Sequence, residues 1–225
     1  MPELNFKITE VETATRGLVP LMHFNLEVRT ANPADSVQGL LLNVQIQIQS
    51  PQRAYNASEK ERLVDLFGTP ERWGQTLRNR LWTHANCTVG TFTGVAETII
   101  PVPCTFDLNV AATKYFYALD EGEVPLLFLF SGSAFYLSAE GALQVERISW
   151  NKECTYRIPV QKWKDLMEEH YPNSEWLYLK RDIFDRLYEY RRRNGMATWE
   201  QTIEALLDDN AKIELASNQR EEVPA

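Results

Sequence analysis

The run Val124-Pro125-Leu126-Leu127-Phe128-Leu129-Phe130 does not alternate between polar and apolar residues. It reads as a strand buried on both faces. Just before it, Pro103-Cys104-Thr105-Phe106-Asp107-Leu108-Asn109-Val110 does alternate, and reads as a half-buried strand with Cys104, Phe106 and Leu108 inward. The two runs place the core of a β-rich domain between Pro101 and Tyr136. Ser131-Gly132-Ser133 follows the second run, but the nucleophile-elbow pattern Gly-x-Ser-x-Gly is absent. The small residues are expected to mark a bulge or a close approach in a strand that continues through Ala134-Phe135-Tyr136.

Upstream, Leu4, Phe6 and Ile8 share one parity, as do Phe24, Leu26 and Val28, and then Val44, Ile46 and Ile48. Period-two alternation puts one face in the core and one in water, as in antiparallel strands of a sandwich. The pattern then changes. Ser58 with Glu61 has the form of a capping box, Leu63, Leu66 and Phe67 follow at helical spacing, and Gly68 suits the C′ position. Thr69-Pro70 starts a second short helix with Trp73, Leu77 and Leu81 on its apolar side. Strand signals return over 88–100, 104–110, 125–136, 143–150 and 154–158. From Pro159 the chain is helical, with Trp163, Leu166 and Met167 on one helix and Trp176, Leu179, Ile183, Leu187 and Tyr190 on the next. Thr198 with Gln201 caps a last helix carrying Ile203, Leu206 and Leu207.

The expected fold is mainly β with α: a two-sheet immunoglobulin-like β-sandwich over 1–158, with a helical insertion at about 58–81. A helical C-terminal region at 159–207 packs on it, and 208–225 is a polar acidic tail expected to be disordered. The formal net charge of −8 and pI near 5.0 argue against nucleic acid as a partner, since binding it draws on a basic excess. No run approaches the roughly 18 apolar residues of a membrane span. Met1-Pro2-Glu3-Leu4-Asn5-Phe6 has neither the basic n-region nor the apolar h-region of a secretory signal, so a cytoplasmic location is expected. Three scattered cysteines, Cys87, Cys104 and Cys154, fit reduced thiols there.

His84 and Cys87, three apart, are the metal candidates, but no second ligand pair accompanies them. No metal, cofactor or catalytic residue is therefore expected. No phosphate loop occurs. Two features suggest a protein-binding surface. Trp73 and Trp82 flank the inserted helices, where tryptophan can serve as an interface anchor. Arg191, Arg192 and Arg193 form a local basic patch, fit either to complement a helix C-terminus or to meet an acidic partner.

Four stretches carry a resemblance: Pro101-Val102-Pro103-Cys104-Thr105-Phe106-Asp107-Leu108, Ala111-Ala112-Thr113-Lys114-Tyr115-Phe116, Gly122 to Gly132, and Thr198-Trp199-Glu200. From Leu4 to about Leu207 the chain resembles an uncharacterised bacterial domain family, some of whose members are encoded beside nickel-iron hydrogenase genes. The resemblance implies a cytoplasmic accessory role and supplies no catalytic residue. The expected function is that of a non-enzymatic accessory or binding protein that holds a protein partner, such as a metalloenzyme under assembly. One alternative is a small-ligand or metal-binding protein or enzyme, with His84, Cys87 and Tyr115 in a pocket between sandwich and helices. Another is a structural homo-oligomer paired through an exposed strand edge such as Val44 to Gln49.

Overall fold

The computed structural model describes residues 2–14, 17–105, 110–174 and 177–221, with side chains through Asn210 and at Lys212. The chain divides into two compact units, Met1–Ser174 and Glu175–Ala225. In the first, β1 (Leu4–Thr13), β2 (Leu21–Thr30) and β3 (Ser36–Ile48) realise the three alternating segments. A 3₁₀ turn at Ser50–Gln52 leads to α1 (Ala57–Arg62), α2 (Val64–Phe67), a second 3₁₀ turn at Pro70–Arg72 and α3 (Trp73–Thr76). Then come β4 (Arg80–Val89), β5 (Phe92–Thr93), β6 (Val95–Pro103), α4 (Val110–Ala118), β7 (Glu123–Leu137), β8 (Leu143–Arg147), β9 (Glu153–Pro159) and α5 (Val160–His170). The second unit holds α6 (Arg181–Arg193) and α7 (Trp199–Glu221).

Two antiparallel sheets result. One has the order β1-β2-β6. The other has β4-β3-β7-β8 as its path, with β5 paired to β3 and β9 paired to β7. Their inward side chains meet: Phe6 stacks on Phe130 with centroids 4.3 Å apart, and Phe24 packs edge-on against Phe128 at 5.2 Å. The aromatic contacts continue into the helices through Phe24–Trp82, Trp82–Phe116 and Phe116–Trp163, the last stacked at 4.9 Å. Offset and edge-on aromatic pairs add to the burial of area that drives the packing.

Several sequence expectations change. In β7, Val124, Leu126, Phe128 and Phe130 are buried, but Leu127 and Leu129 are only half-buried. They face outward beside Gln47 and Gln45 of β3, so the long glutamine stems give them partial cover where a second buried face was expected. β6 ends at Pro103. Of the alternating run that follows, Phe106 to Asn109 lie outside the described residues, and Val110 opens a helix instead of closing a strand. The inserted helices stop at Thr76, and β4 begins at Arg80. Asn56, not Ser58, caps α1, in a capping box with Glu59. Trp176 lies outside the described residues.

The strand proposed as a free edge, 44–49, is interior. β3 is paired on both sides, by β4 and β7, so its backbone has no donors left for another chain. The Thr198–Gln201 capping box forms, with Gln201 N–H donating to Thr198 Oγ1 at 3.2 Å and Thr198 N–H to Gln201 Oε1 at 3.3 Å. The stretch from Asp208, expected to be unstructured, continues α7 to Glu221. Its polarity hid its composition, since Ala, Leu, Glu, Gln and Lys all favour helix. No helix among the described residues is long and apolar enough to cross a membrane.

Ser131-Gly132-Ser133 marks a close approach within the continuous strand β7. Gly132 has φ +134°, and a Cβ placed there would sit 1.9 Å from the Leu41 carbonyl oxygen. Both facts require glycine. Gly132→Ala is expected to destabilise the protein by more than about 2 kcal/mol, read from urea unfolding. A loss of under about 0.5 kcal/mol would show that the β3–β7 contact opens freely.

Candidate functional site

A dense polar cluster joins the insertion to the start of β7. Arg53 lies after the first 3₁₀ turn and Glu59 in the first turn of α1; their side chains are 9% and 3% exposed and pair at 2.8 Å. All five guanidinium donors are used. Two go bidentately to Glu59, and the others to the carbonyls of Ala54 (3.2 Å), Glu121 (2.6 Å) and Glu123 (3.2 Å). Glu59 also accepts from the backbone N–H of Asn56 and of Asp120. Burial pushes the Glu59 carboxyl up, but Arg53 and those two N–H groups together outweigh burial and hold it below the ordinary range. Around the pair, Asn56 and Arg62 both bind the Asp120 carboxylate, and Arg62 Nε donates to the Ala118 carbonyl at 2.9 Å.

Beside this pair lies a phenol relay. Tyr55 O–H donates to the Ser50 carbonyl at 2.8 Å, which leaves Tyr115 to donate to Tyr55 across 2.7 Å. Burial raises the Tyr115 phenol well above its usual value. A phenol so buried and already committed as donor is not available as an acid or base for a substrate. The cluster therefore has the chemistry of a clamp: every charge in it is met.

The sequence candidates separate. His84 is exposed and pairs across the sheet with Gln45, while Cys87, an odd number of residues away, packs against the core on the other face. Tyr115 is buried under Tyr55. Hollows of 710 Å³ beside Thr9, Asn25 and Glu97 and of 480 Å³ beside Gln49, Glu123 and Arg157 contain none of the three. One of 290 Å³ beside Gly132 contains Cys87 alone. Burial pushes the Cys87 thiol up to about 11, Cys104 to about 12 and Cys154 to about 11, so all three stay protonated near neutrality. Among the described residues, no three His, Cys, Asp or Glu side chains group as a metal site would.

Trp73 and Trp82 are in the core. Trp73 packs on Tyr55 and Phe67 and donates its Nε1–H to the Gly68 carbonyl at 2.8 Å; Trp82 packs on Phe24 and Phe116. The insertion folds over the end of the sheet, so residues flanking it face inward. The arginine run is largely spent within its own helix hairpin. Arg191 pins the turn after α6 by donating to the Met196 (3.3 Å) and Ala197 (3.0 Å) carbonyls, and lies 4.6 Å from the Trp199 ring centre. Arg192 and Arg193 both bind Glu189 and hold its carboxyl down to about 2.

One strongly exposed aromatic was not singled out as an interface residue from the sequence. Trp150, at the turn between β8 and β9, is 90% exposed. β8 and β9 pair with successive parts of the same edge of β7, and the loop between them is pinned where Ile148 N–H donates to the Gly132 carbonyl and Phe130 N–H to the Lys152 carbonyl. Next along this edge, Leu143 and Val145 of β8 and Leu137 of β7 are exposed on the outer face of the sheet, and Leu41 of β3, across β7 from β8, is exposed on the same face. The signal available in the sequence was a tryptophan lying directly before the Asn151-Lys152 turn.

The family model of DUF6084, a family of unknown function, matches residues 1–215, and the chain belongs to that family. No curated protein matches the sequence. Among solved structures, a putative late embryogenesis abundant protein is similar at TM-score 0.28 and 12% identity, covering 71% of this chain and 71% of that one. A β-glucosidase from Kluyveromyces marxianus gives TM-score 0.25 and 7% identity over 69% of this chain, which spans only 15% of the glucosidase. β-Glucosidase 3B from Thermotoga neapolitana in complex with glucose gives 0.25 and 7%, over 70% of this chain and 17% of that one. At these TM-scores none of the three carries an argument about this chain.

Glu59→Gln leaves Arg53 buried beside a neutral group and is expected to cost about 3–5 kcal/mol in urea unfolding, whereas Arg53→Met with Glu59→Leu together should cost less. Because the folded carboxyl is lowered, its contribution is complete above the unfolded value of roughly 4.3 and is lost as pH falls through the folded value. The gap between wild type and Glu59→Gln should therefore be constant from pH 7 to 5 and narrow below about pH 4. A gap that widens on acidification contradicts the pairing.

Proposed function

We propose that this member of DUF6084 is a non-enzymatic accessory protein that binds a protein partner through the exposed β7–β8 end of its larger sheet. The observation that carries this reading is Trp150, 90% exposed on a loop pinned to the sheet, with Leu137, Leu143, Val145 and Leu41 exposed on the same sheet. An exposed aromatic beside aliphatic side chains on a rigid strand edge has the chemistry of an interface anchor. In this reading the two sheets form one sandwich of immunoglobulin-like character; the Phe6–Phe130 stacking supports it. The three free cysteines support the cytoplasm as its compartment. A metalloenzyme under assembly, such as a hydrogenase, is the partner class to test first, on the gene neighbourhood that the family resemblance implies.

The test is affinity purification at endogenous level under gentle conditions, comparing wild type with Trp150→Ala and Val145→Glu. These residues are exposed, so unfolding stability should change by under about 0.5 kcal/mol. The partner should co-purify stoichiometrically with wild type and fall by about tenfold or more with either variant. A solitary wild-type monomer, or capture unchanged by both variants, overturns the reading.

A further inference from the structure

The helical unit presents more apolar surface than it covers. In α6 no residue is buried, and Ile183, Phe184 and Tyr188 are exposed; in α7 so are Ile203, Leu206 and Leu207, the last at 65%. Phe184, Tyr188 and Trp199 pack together where the hairpin turns back at Gly195, which has φ +63°. This aromatic group, with Arg191 over the Trp199 ring, packs the two helices together. A two-helix hairpin of this size buries too little to hold itself together without a cover for its apolar face.

We propose that the cover is the same face of a second copy, so that two chains pair through 181–221 into a four-helix arrangement. The charges select that occupant. α6 carries five arginines against three carboxylates, a net +2, while α7 carries six carboxylates against Lys212 and Arg220, a net −4. Within the hairpin, Glu189 occupies Arg192 and Arg193, and Arg191 is held by the Met196 and Ala197 carbonyls. Arg181 and Arg186 on α6, and Glu204 and Asp208 on α7, make no ion pair among the described residues. A two-fold axis sets the basic α6 of each copy against the acidic α7 of the other and repeats every contact twice. The competing arrangement, α6 on α6, opposes arginines and is disfavoured. Two hairpins joined in this way cover the exposed apolar side chains of α6 and of the first half of α7, as in antiparallel four-helix bundles.

The test is the mass of the full chain by light scattering over a range of concentration and salt. The wild type should run at twice 26.0 kDa. Ile203→Glu with Leu207→Glu should weaken the dimer about thirtyfold or more, with the unfolding of the β unit unchanged. Arg181→Glu with Arg186→Glu should be monomeric alone, as should Glu204→Lys with Asp208→Lys, and mixing these two variants should restore a mixed dimer. A monomeric wild type at the highest soluble concentration overturns the proposal and assigns the face to the chain's own β unit or to another protein. A dimer untouched by Ile203→Glu with Leu207→Glu places the interface elsewhere and also overturns it. If the apolar variant loses its helical circular dichroism, the mixing experiment decides alone: failure to form the mixed dimer refutes the pairing.

Discussion

The pairing of Arg53 with Glu59 ties together parts of the chain that no strand connects. One guanidinium holds the capped start of α1 and the carbonyls of Glu121 and Glu123, where the chain enters β7. Glu59 in turn fixes Asp120, just beyond α4. Burying such a pair costs desolvation, which is offset only when every donor and acceptor is matched. Here the five N–H groups of Arg53 find five acceptor bonds, and the carboxylate takes four donors. That completeness sets the position of the insertion, and with it Phe67, Trp73 and Tyr115 at the end of the core.

A clamp whose charges are all met is a poor place for chemistry. The aromatic path from Phe24 through Trp82 and Phe116 to Trp163 carries the same message, because it spends four large side chains on joining the sheets to α4 and α5. One exposed apolar region of the first unit lies at the opposite extreme of burial. It is the edge of β7, where β8 and the Trp150 loop stand out from the sheet with apolar side chains in water. Rigidity in one region and unspent apolar surface in the other fit a scaffold that presents an interaction surface.

How much of this was legible in the sequence follows from the physics of each element. β1, β2 and β3 were readable because each has one wet face, so alternation records the fold directly. α4 was not, because Ala112, Thr113, Tyr115, Phe116 and Ala118 are all buried and the helix shows no polar stripe from which to read a period. Arg53 and Glu59 were invisible as a pair because their meaning depends on carbonyls from near residue 120. The tryptophans show the limit most plainly. Trp73 and Trp150 have the same local chemistry, and only the path of the chain turns one into the core and the other into water.

Hydrogen–deuterium exchange on the full chain, alone and with its co-purified partner, tests this division most directly. New protection is expected at 137–150, with 53–62 and 119–123 equally slow in both states. Protection gained at 53–62 and 119–123, with 137–150 unchanged, would contradict it and make the clamp the binding site.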